Sequence, residues 1–416
     1  MSAGLAGRLR VDGDVSPRFN ASVRSHSRTG TQAGEEAPVA MQHDQGVNPT
    51  PSKPSARVAL LGTGNVGKAV LDRLAAWTGT PRGASLALVH AGNSRGALRA
   101  GRLCPADVRR RLLDGSPWHA DPVLANLSGV ADALARNGPA HRIIIDATAS
   151  SEVADNHPRW LAQGIHVVTA CKLGLGTTLE RWQAIHDAAA HGNARYGDSA
   201  TVGAGLPLLR NIRDLQAGGD TIHAIAGVLS GSLAWLFNHY DGKKPFSEMV
   251  DEARQAGYTE PDPREDLSGD DVRRKILILA RAAGVPLASD EVEVESLLDL
   301  AGCETRQDGH GARGEDPVVP PPLDALLQRL HRDAAAKGAQ LRYIARLQNG
   351  RASVRLETLD ATHPLASGAG TDNKLAIWSD RYRDQPLVIQ GPGAGAEVTA
   401  AGLLDDALRI ARSAPD

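Results

Sequence analysis

The positions of the apolar residues predict alternating strands and helices over the first half of the chain. From residue 56 to about residue 200, short apolar runs typical of buried strands alternate with stretches in which apolar residues recur at helical spacing. This alternation predicts an α/β fold built on a doubly wound, parallel sheet. The predicted strands cover residues 56–61, 86–91, 143–150 and 165–170.

Beyond residue 200 the pattern changes. Amphipathic stretches come first, and runs of strand character then follow one another closely, which favours a second, mixed sheet that is at least partly antiparallel. The predicted helices are 233–239, 245–255, 323–337 and 397–412, and the predicted strands are 221–227, 340–348, 351–359, 375–379 and 386–390.

Two segments lack such periodicity. Residues 1–55 are rich in Ser, Gly, Pro, Thr and Gln, so we expect a disordered N-terminal extension. Residues 302–322 combine glycine, charged residues and three consecutive prolines, and we expect a long mobile loop there.

Composition narrows the class of protein. The chain has 416 residues, of which 42% are hydrophobic, enough for two or three domains. A net charge of −2 argues against a nucleic-acid or membrane partner, and no apolar run approaches the ~20 residues of a membrane-spanning helix. The three scattered cysteines argue against a disulfide framework or a zinc site and favour a reducing compartment such as the cytoplasm.

The first motif follows the first predicted strand. Residues 62–67 read Gly-Thr-Gly-Asn-Val-Gly and lead into a predicted helix. In a strand, G-x-G-x-x-G, helix arrangement, the glycines permit a tight turn and the close approach of a pyrophosphate to the helix N-terminus. The motif predicts a Rossmann-type dinucleotide site; the alternative is a glycine-rich turn without a ligand.

The end of the second predicted strand bears on the choice of cofactor. NAD-binding folds tend to place a carboxylate there for the ribose diol, but this chain continues Gly92-Asn93-Ser94-Arg95. Arg95 could instead pair with the 2′-phosphate of NADP. We therefore expect NADP, with NAD possible; the alternative leaves Arg95 as a solvated loop residue.

Two further stretches could line the same crevice. Lys172 stands at the tip of a predicted strand, although a solvated loop lysine is the commoner case. Cys171 has no neighbouring histidine to activate it as a nucleophile, so a buried structural cysteine is favoured. The glycine-rich turn at 201–207 exposes carbonyls, which suits either a hard cation or a crossing between domains.

The densest cluster of charge is residues 257–275, GYTEPDPREDLSGDDVRRK. In the simpler interpretation Gly257 ends a helix, Ser268 and Asp271 form a capping box, and Asp271 pairs with Lys275 on a helix surface. However, five apolar residues follow Lys275, so this lysine must lie where the helix enters a core. In the alternative interpretation the carboxylates hold a charged substrate.

Seven motifs in this order resemble homoserine dehydrogenase, particularly the dehydrogenase half of bacterial bifunctional aspartokinase–homoserine dehydrogenases. The resemblance covers about residues 56–413, and residues 257–275 are its most specific part. The other six motifs are 62–67, 146–150, 167–172, 200–207, 227–237 and 393–402.

The resemblance implies an activity and a domain plan. The family interconverts L-aspartate 4-semialdehyde and L-homoserine with NAD(P), a step towards threonine and methionine. It implies an NADP-binding domain at 56–200 completed by 393–416, and a catalytic and dimerisation domain at 201–392, so a homodimer is expected. We expect neither a kinase nor a regulatory domain on this chain.

The resemblance also implies roles for individual residues. Lys275 and Lys172 match the catalytic lysines, and Glu260, Asp271 and Asp266 match carboxylates that bind substrate. The backbone carbonyls of Val202, Ala204 and Leu206 match a monovalent-cation site, usually sodium. The expected cofactor-binding residues are Gly62, Gly64, Asn65, Val66, Gly67, Arg95, Thr148, Ser150, Lys172, Gly257 and Gly395.

The chain departs from the family pattern in places. Ser199 stands where the family often has an acidic residue, which puts the cation in question, and Cys171 replaces a common asparagine. Leu173 stands where a second lysine is frequent. Two other functions stay open: an aspartate-semialdehyde dehydrogenase with Cys171 as nucleophile, and a non-catalytic NADP-binding sensor.

Overall fold

The computed structural model describes residues 54–115, 127–135, 141–301 and 318–413. The expected N-terminal extension lies outside these residues except for its last two positions, and so does most of the expected loop at 302–322. None of the described helices is long and apolar enough to cross a membrane.

The first sheet confirms the predicted α/β class. Within the described segments it has six strands in the order β3-β2-β1-β4-β5-β6, and the pairs that join β2, β1, β4, β5 and β6 are all parallel. The strands are β1 Ala56–Leu61, β2 Leu86–Asn93, β3 Gly96–Arg99, β4 His141–Asp146, β5 His166–Thr169 and β6 Tyr196–Gly197.

The outer strand β3 was not expected. It pairs antiparallel with β2 through a hairpin whose turn contains Ser94 and Arg95. The run of small and charged residues after β2 resembles a loop in sequence. Pairing with β2 supplies backbone partners that local propensity does not reveal.

Helices cover both faces of this sheet. Pro158 falls in the first turn of a short helix and separates it from the helix before, as its missing N–H requires. The helices are α1 Asn65–Ala76, α2 Pro81–Ser85, α3 Pro105–Leu113, α4 Ser128–Ala135, α5 Ser151–Asp155, α6 His157–Ala162 and α7 Leu179–His191.

The second sheet is mixed, as expected. Within the described residues its order is β12-β11-β7-β9-β10-β8, antiparallel except where β8 runs parallel to β10. The three-residue strand β8 was missed because it is too short to show alternation. The strands are β7 Ile222–Val228, β8 Val292–Val294, β9 Ala339–Gln348, β10 Arg351–Asp360, β11 Asp372–Ser379 and β12 Leu387–Pro392.

The remaining helices pack mainly around this second sheet, and the last helix returns to the first one. The helix Asp270–Ala282 (α12) lies against β9 and β10 with Ile276 and Leu279 fully buried, while the last helix, Ala396–Arg412 (α14), packs on α1, β4 and β5. The helices are α8 Leu208–Ala217, α9 Gly231–His239, α10 Phe246–Gln255, α11 Arg264–Leu267, α12 Asp270–Ala282, α13 Pro321–Ala335 and α14 Ala396–Arg412.

The ends of α10 and α12 test two local predictions. Gly257, at φ +74°, ends α10 as expected: the N–H of Tyr258 donates to Ala253 O at 2.9 Å, the long-range bond of a Schellman motif. The predicted capping box was wrong. Ser268 Oγ accepts the N–H of Asp270 at 3.2 Å, not that of Asp271, because Gly269 at φ +80° forms the entry to α12.

The glycine loop yields a stability prediction. A Cβ at Gly67 would overlap the backbone carbonyl of Gly62, whereas a Cβ at Gly64 would meet nothing within 4 Å. We expect Gly67→Ala to lower the free energy of unfolding by about 1–3 kcal/mol, because the carbonyl carbon and oxygen of Gly62 belong to the backbone and cannot move aside freely. Gly64→Ala is the matched control and should unfold near the wild-type urea midpoint; equal midpoints for the two variants would contradict this packing.

Candidate active site

A cleft of about 890 Å³ opens at the carboxyl ends of the parallel strands of the first sheet. In open α/β sheets this edge is where ligands bind. Val66, Thr148 and Lys172 line the cleft from the first half of the chain, and Asp271 and Lys275 line it from α12. The tertiary structure thus brings together the glycine loop and the acidic segment.

The glycine loop has the shape of a phosphate cradle. Gly62 takes φ +90°, and its N–H donates to Gly92 O at 2.9 Å, which fastens the loop to β2. Helix α1 begins at Asn65 without a side-chain cap, so no capping side chain occupies its first N–H groups, and Val66 in its first turn lines the cleft. The open space beside Gly64 is where a dinucleotide would approach, so these residues fit one.

The other residues expected at the cofactor are spread more widely. Thr148 and Gly395 line the cleft. Ser150 caps α5, and its N–H donates to Thr148 Oγ1 at 3.2 Å. Arg95 is exposed in the β2–β3 turn, and Gly257 lies at the end of α10, away from the cleft lining. The roles of Arg95 and Gly257 stay predictions.

The centre of the cleft is one carboxylate between two ammonium groups. Asp271 Oδ2 lies 2.8 Å from Lys275 Nζ, and Asp271 Oδ1 lies 3.4 Å from Lys172 Nζ. Burial alone would raise the pKa of Asp271, but attraction to the two lysines outweighs it and holds that pKa well below its usual range. Asp271 is therefore an anion throughout the neutral range.

Lys275 is the most buried charge in the cleft. Its residue surface is 9% exposed, and Nζ also donates to Leu229 O at 2.7 Å. Burial lowers the pKa of Lys275, Asp271 opposes that shift, and the positive charge of Lys172 adds to it. The expected position of Lys275, where a helix enters a core, is confirmed.

Asp266 differs from a free substrate ligand. Its Oδ1 accepts a hydrogen bond from Ser232 Oγ at 2.6 Å, and its Oδ2 accepts the N–H of Glu260 at 2.9 Å. Both oxygens are therefore engaged in holding the loop that carries Glu260, whose own side chain is exposed and lines the cleft. This geometry favours a positioning role for Asp266 over direct contact.

Sequence reasoning missed two serines. Ser230 lines the cleft at the start of α9, and its Oγ lies 2.8 Å from Ser232 Oγ, which in turn holds Asp266. The segment 227–237 was singled out as a motif, so the signal was present. The hydrogen bonds that lead from Ser230 through Ser232 to Asp266 require α9 to pack against α11, and the sequence does not show this packing.

A buried arginine joins the two halves of the cleft. Arg281 lies two turns beyond Lys275 on α12, and its guanidinium donates to Leu175 O, to Thr177 O at 3.0 Å and to Leu287 O at 2.8 Å. Burial lowers the pKa of Arg281 to about 10. The loop after Lys172 is thereby held against the helix that carries Asp271.

Side-chain hydrogen bonds hold the segment just before the carbonyls that are expected to bind a cation. Asp198 is bidentate with Arg213 at 2.6 Å for each pair of atoms, while Asp406 of α14 accepts bonds from Ser199 N at 3.0 Å and Ser199 Oγ at 2.9 Å. Asp406 thus places a carboxylate beside Ser199, whose own side chain has none.

The three carbonyls themselves fit a cation in part. Leu206 O already accepts the N–H of Leu208 at 2.8 Å, whereas no backbone N–H among the described residues donates to Val202 O or Ala204 O outside regular structure. The donors are hard oxygen atoms of the type that such cations prefer. No cluster of three or more His, Cys, Asp or Glu side chains in the described segments forms a metal site.

Cys171 is unsuited to act as a nucleophile. Its side chain is buried, and burial together with the charge of Asp146 raises the pKa of the thiol to about 11. The reactive form of cysteine is the thiolate, which is scarce at neutral pH when the pKa is so high. The favoured interpretation of Cys171 as a buried structural residue agrees with this geometry.

Comparison with known proteins places the chain in a family. Residues 62–197 match the family described as homoserine dehydrogenase, NAD binding domain, and residues 207–408 match the one described as homoserine dehydrogenase. The homoserine dehydrogenase of Emericella nidulans is 34% identical over 371 residues, which cover 85% of this chain and 97% of that protein. The chain belongs to the homoserine dehydrogenase family.

Other relatives in the homoserine dehydrogenase family are longer. Bifunctional aspartokinase/homoserine dehydrogenase 2 of Escherichia coli (strain K12) is 45% identical over 271 residues, 65% of this chain and 33% of that protein. The chain therefore spans about a third of the length of the bifunctional relatives it matches. The resemblance inferred from the motifs is confirmed.

Solved structures share the fold. A protein of unknown function from Candida auris is 33% identical, with a TM-score of 0.75 over 86% of this chain and 98% of that one. A hyperthermophilic archaeal homoserine dehydrogenase in complex with NADPH is 20% identical, with a TM-score of 0.63 over 85% of this chain and 97% of that one.

The lysine–aspartate–lysine arrangement predicts opposite shifts in two variants. Asp271→Asn removes the charge that opposes burial, so the pKa of Lys275 should fall further; Lys172→Met removes a like charge, so that pKa should rise. Titration of protein labelled with ¹⁵N at lysine Nζ would measure both, with the Lys275 signal assigned by its loss in Lys275→Met. Shifts of the same sign would show that the three groups are not coupled as described.

Proposed function

We propose that this protein catalyses the reversible, NADP(H)-dependent reduction of L-aspartate 4-semialdehyde to L-homoserine. The single observation that carries the proposal is the bridge from Lys172 through Asp271 to Lys275, at the meeting point of a dinucleotide cradle and an acidic loop. A cleft with this charge pattern suits a small zwitterion that is reduced at a carbonyl group.

The proposed substrate carries an α-ammonium group, which carboxylates of the acidic segment can bind. Glu260 lines the cleft with an exposed carboxylate, and Asp271 is half-buried beside both lysines. In our proposal these two residues bind the ammonium group, and Asp266 holds Glu260 in place through its backbone N–H. Charge-assisted hydrogen bonds of this kind are stronger than neutral ones.

Lys275 is the group proposed to handle the proton. Negative charge develops on the aldehyde oxygen during reduction, and an ammonium group placed there stabilises that charge and delivers a proton. Because burial lowers the pKa of Lys275, proton release costs less than for a solvated lysine. Lys172 assists from the strand-tip side and keeps Asp271 oriented.

The glycine loop and its neighbours would hold the cofactor. When bound, NADP(H) supplies or accepts the hydride. In our proposal the backbone of residues 62–67 binds the pyrophosphate, Thr148, Ser150 and Gly395 hold the nicotinamide end, and Arg95 binds the 2′-phosphate. The exposed position of Arg95 at the end of β2 supports the last assignment, since that is where such folds bind the ribose.

We also propose a homodimer and a monovalent cation. Val388 pairs with Ala376 across β11 and β12, so it shares a face of the second sheet with Trp378. Val388 is 39% exposed and Trp378 is only partly buried, which supports a second copy of the chain packing there. For the cation, the carbonyls of Val202 and Ala204 and the carboxylate of Asp406 near Ser199 supply oxygen donors.

One assay tests the proposed reaction. We expect homoserine-dependent reduction of NADP⁺ at alkaline pH, insensitive to iodoacetamide and without a need for phosphate, because Cys171 is buried with a raised pKa. Lys275→Met should lower kcat by about 10²–10⁴-fold while NADPH still binds. A rate that depends on phosphate and is abolished by thiol alkylation would instead favour aspartate-semialdehyde dehydrogenase chemistry, and NADPH binding without turnover would favour a sensor.

The role of Arg95 can be measured through cofactor choice. Arg95→Gln should lower kcat/KM for NADPH by about tenfold or more, since a charge-assisted hydrogen bond contributes ~1.5–3 kcal/mol. The value for NADH serves as the internal control and should stay near that of the wild-type protein. Equal losses with both cofactors would assign Arg95 to the fold and not to the phosphate.

A further inference from the structure

We propose that the Thr169 hydroxyl, held by the buried Asp146 carboxylate, is a positioning group that sets the place of Lys172 in the cleft. The inference rests on the proposed function, in which Lys172 assists the reaction. Neither Thr169 nor Asp146 was among the expected site residues. Both are fully buried at the ends of neighbouring parallel strands.

Asp146 is the centre of the arrangement. Its Oδ1 accepts the N–H of Thr148 at 2.9 Å and the Thr148 hydroxyl at 2.6 Å. Its Oδ2 accepts the Thr169 hydroxyl at 3.0 Å and lies 3.1 Å from His157 Nε2. An ionised carboxylate only accepts hydrogen bonds, and in that state His157 Nε2 is the donor to Oδ2.

The second ring nitrogen of His157 continues the network to Tyr196. In the neutral tautomer with Nε2 as donor, Nδ1 accepts from the Tyr196 hydroxyl at 2.9 Å. Every polar atom of the network has a partner, which is the condition under which a buried carboxylate is tolerated. One buried carboxyl group thereby fixes the conformation at the carboxyl ends of two strands.

Thr169 passes this constraint on to the chain that follows. Its Oγ1 accepts the N–H of Cys171 at 2.9 Å, and the next residue is Lys172. The hydroxyl therefore sets the direction in which the backbone leaves β5. Lys172 Nζ ends 3.4 Å from Asp271, across the cleft on α12. Thr148, which lines the same cleft, donates its hydroxyl to the other oxygen of Asp146. The residues at both strand ends are therefore hydrogen-bonded to the same carboxyl group.

Two substitutions separate this role from simple packing. Thr169→Val keeps the volume and removes the hydroxyl, whereas Thr169→Ser keeps the hydroxyl and removes a methyl group. We expect Thr169→Val to lower kcat by about 10–100-fold, since a misplacement near 1 Å costs this much, with the KM for NADPH within about threefold of wild type. Thr169→Ser should keep kcat within about threefold. If Thr169 only fills space, the order reverses, and that result overturns the proposal.

A further variant controls for effects of lost stability on kcat. Thr178→Val removes the exposed N-cap of α7, whose Oγ1 accepts the N–H of Arg181 at 3.3 Å, and should lower stability without a change in kcat. If Thr169→Val does not fold, Thr169→Ala and Thr169→Ser, which differ by the hydroxyl alone, replace it. A wild-type kcat in Thr169→Ala would then contradict the proposal.

A second readout needs no turnover. If Lys172 moves away from the cleft, its charge no longer acts on Lys275, so Thr169→Val should raise the pKa of Lys275 in the same direction as Lys172→Met, and Thr169→Ser should not. The ¹⁵N titration of Lys275 measures this even if the wild-type protein fails to oxidise homoserine. Absence of wild-type turnover would overturn the proposed reaction, whereas an unchanged Lys275 titration in Thr169→Val would overturn the positioning role.

Discussion

The cleft depends on one interaction, in which the carboxylate of Asp271 bridges the buried Lys275 to a second lysine, Lys172. Lys275 lies almost wholly within the protein, where an isolated ammonium group would lose its proton or disrupt the core. Asp271 at 2.8 Å supplies the compensating charge, and the carbonyl of Leu229 satisfies another N–H of the same group. Lys172 completes a set of three charges with one net positive charge, which suits a site where negative charge develops.

That interaction requires two separate sheets to meet at one edge. Lys172 comes from the tip of β5 in the first sheet, and Asp271 comes from α12, which packs on the second. Arg281 and Thr169 fix the position of Lys172 relative to Asp271. Arg281 binds carbonyls of the loop after Lys172, and Thr169 accepts the N–H of Cys171, the residue just before Lys172. Precision at the cleft thus derives from buried hydrogen bonds behind it.

The periodic elements of the fold were predictable. The strands β1, β5 and β9 and the helices α10 and α14 were expected within a residue or two, because their apolar spacing is regular. Strands β3 and β8 were not, since a four-residue hairpin arm and a three-residue strand carry no periodic signal. The capping box failed for a local reason: a left-handed glycine placed the helix start one residue away from the residue that the motif requires.

The sequence alone determined the order of strands and helices, the glycine loop as a dinucleotide motif, the family, and the entry of Lys275 into a core. These features depend on neighbours along the chain, such as turn glycines and the apolar run after Lys275. Only the tertiary structure decided that Asp271 joins two lysines, that Asp266 serves Glu260, and that Asp146 anchors both strand tips. Each of these contacts joins groups that are distant in the sequence and that sheet and helix packing bring together. The identity of an aspartate in the sequence does not reveal which partner the fold places beside it.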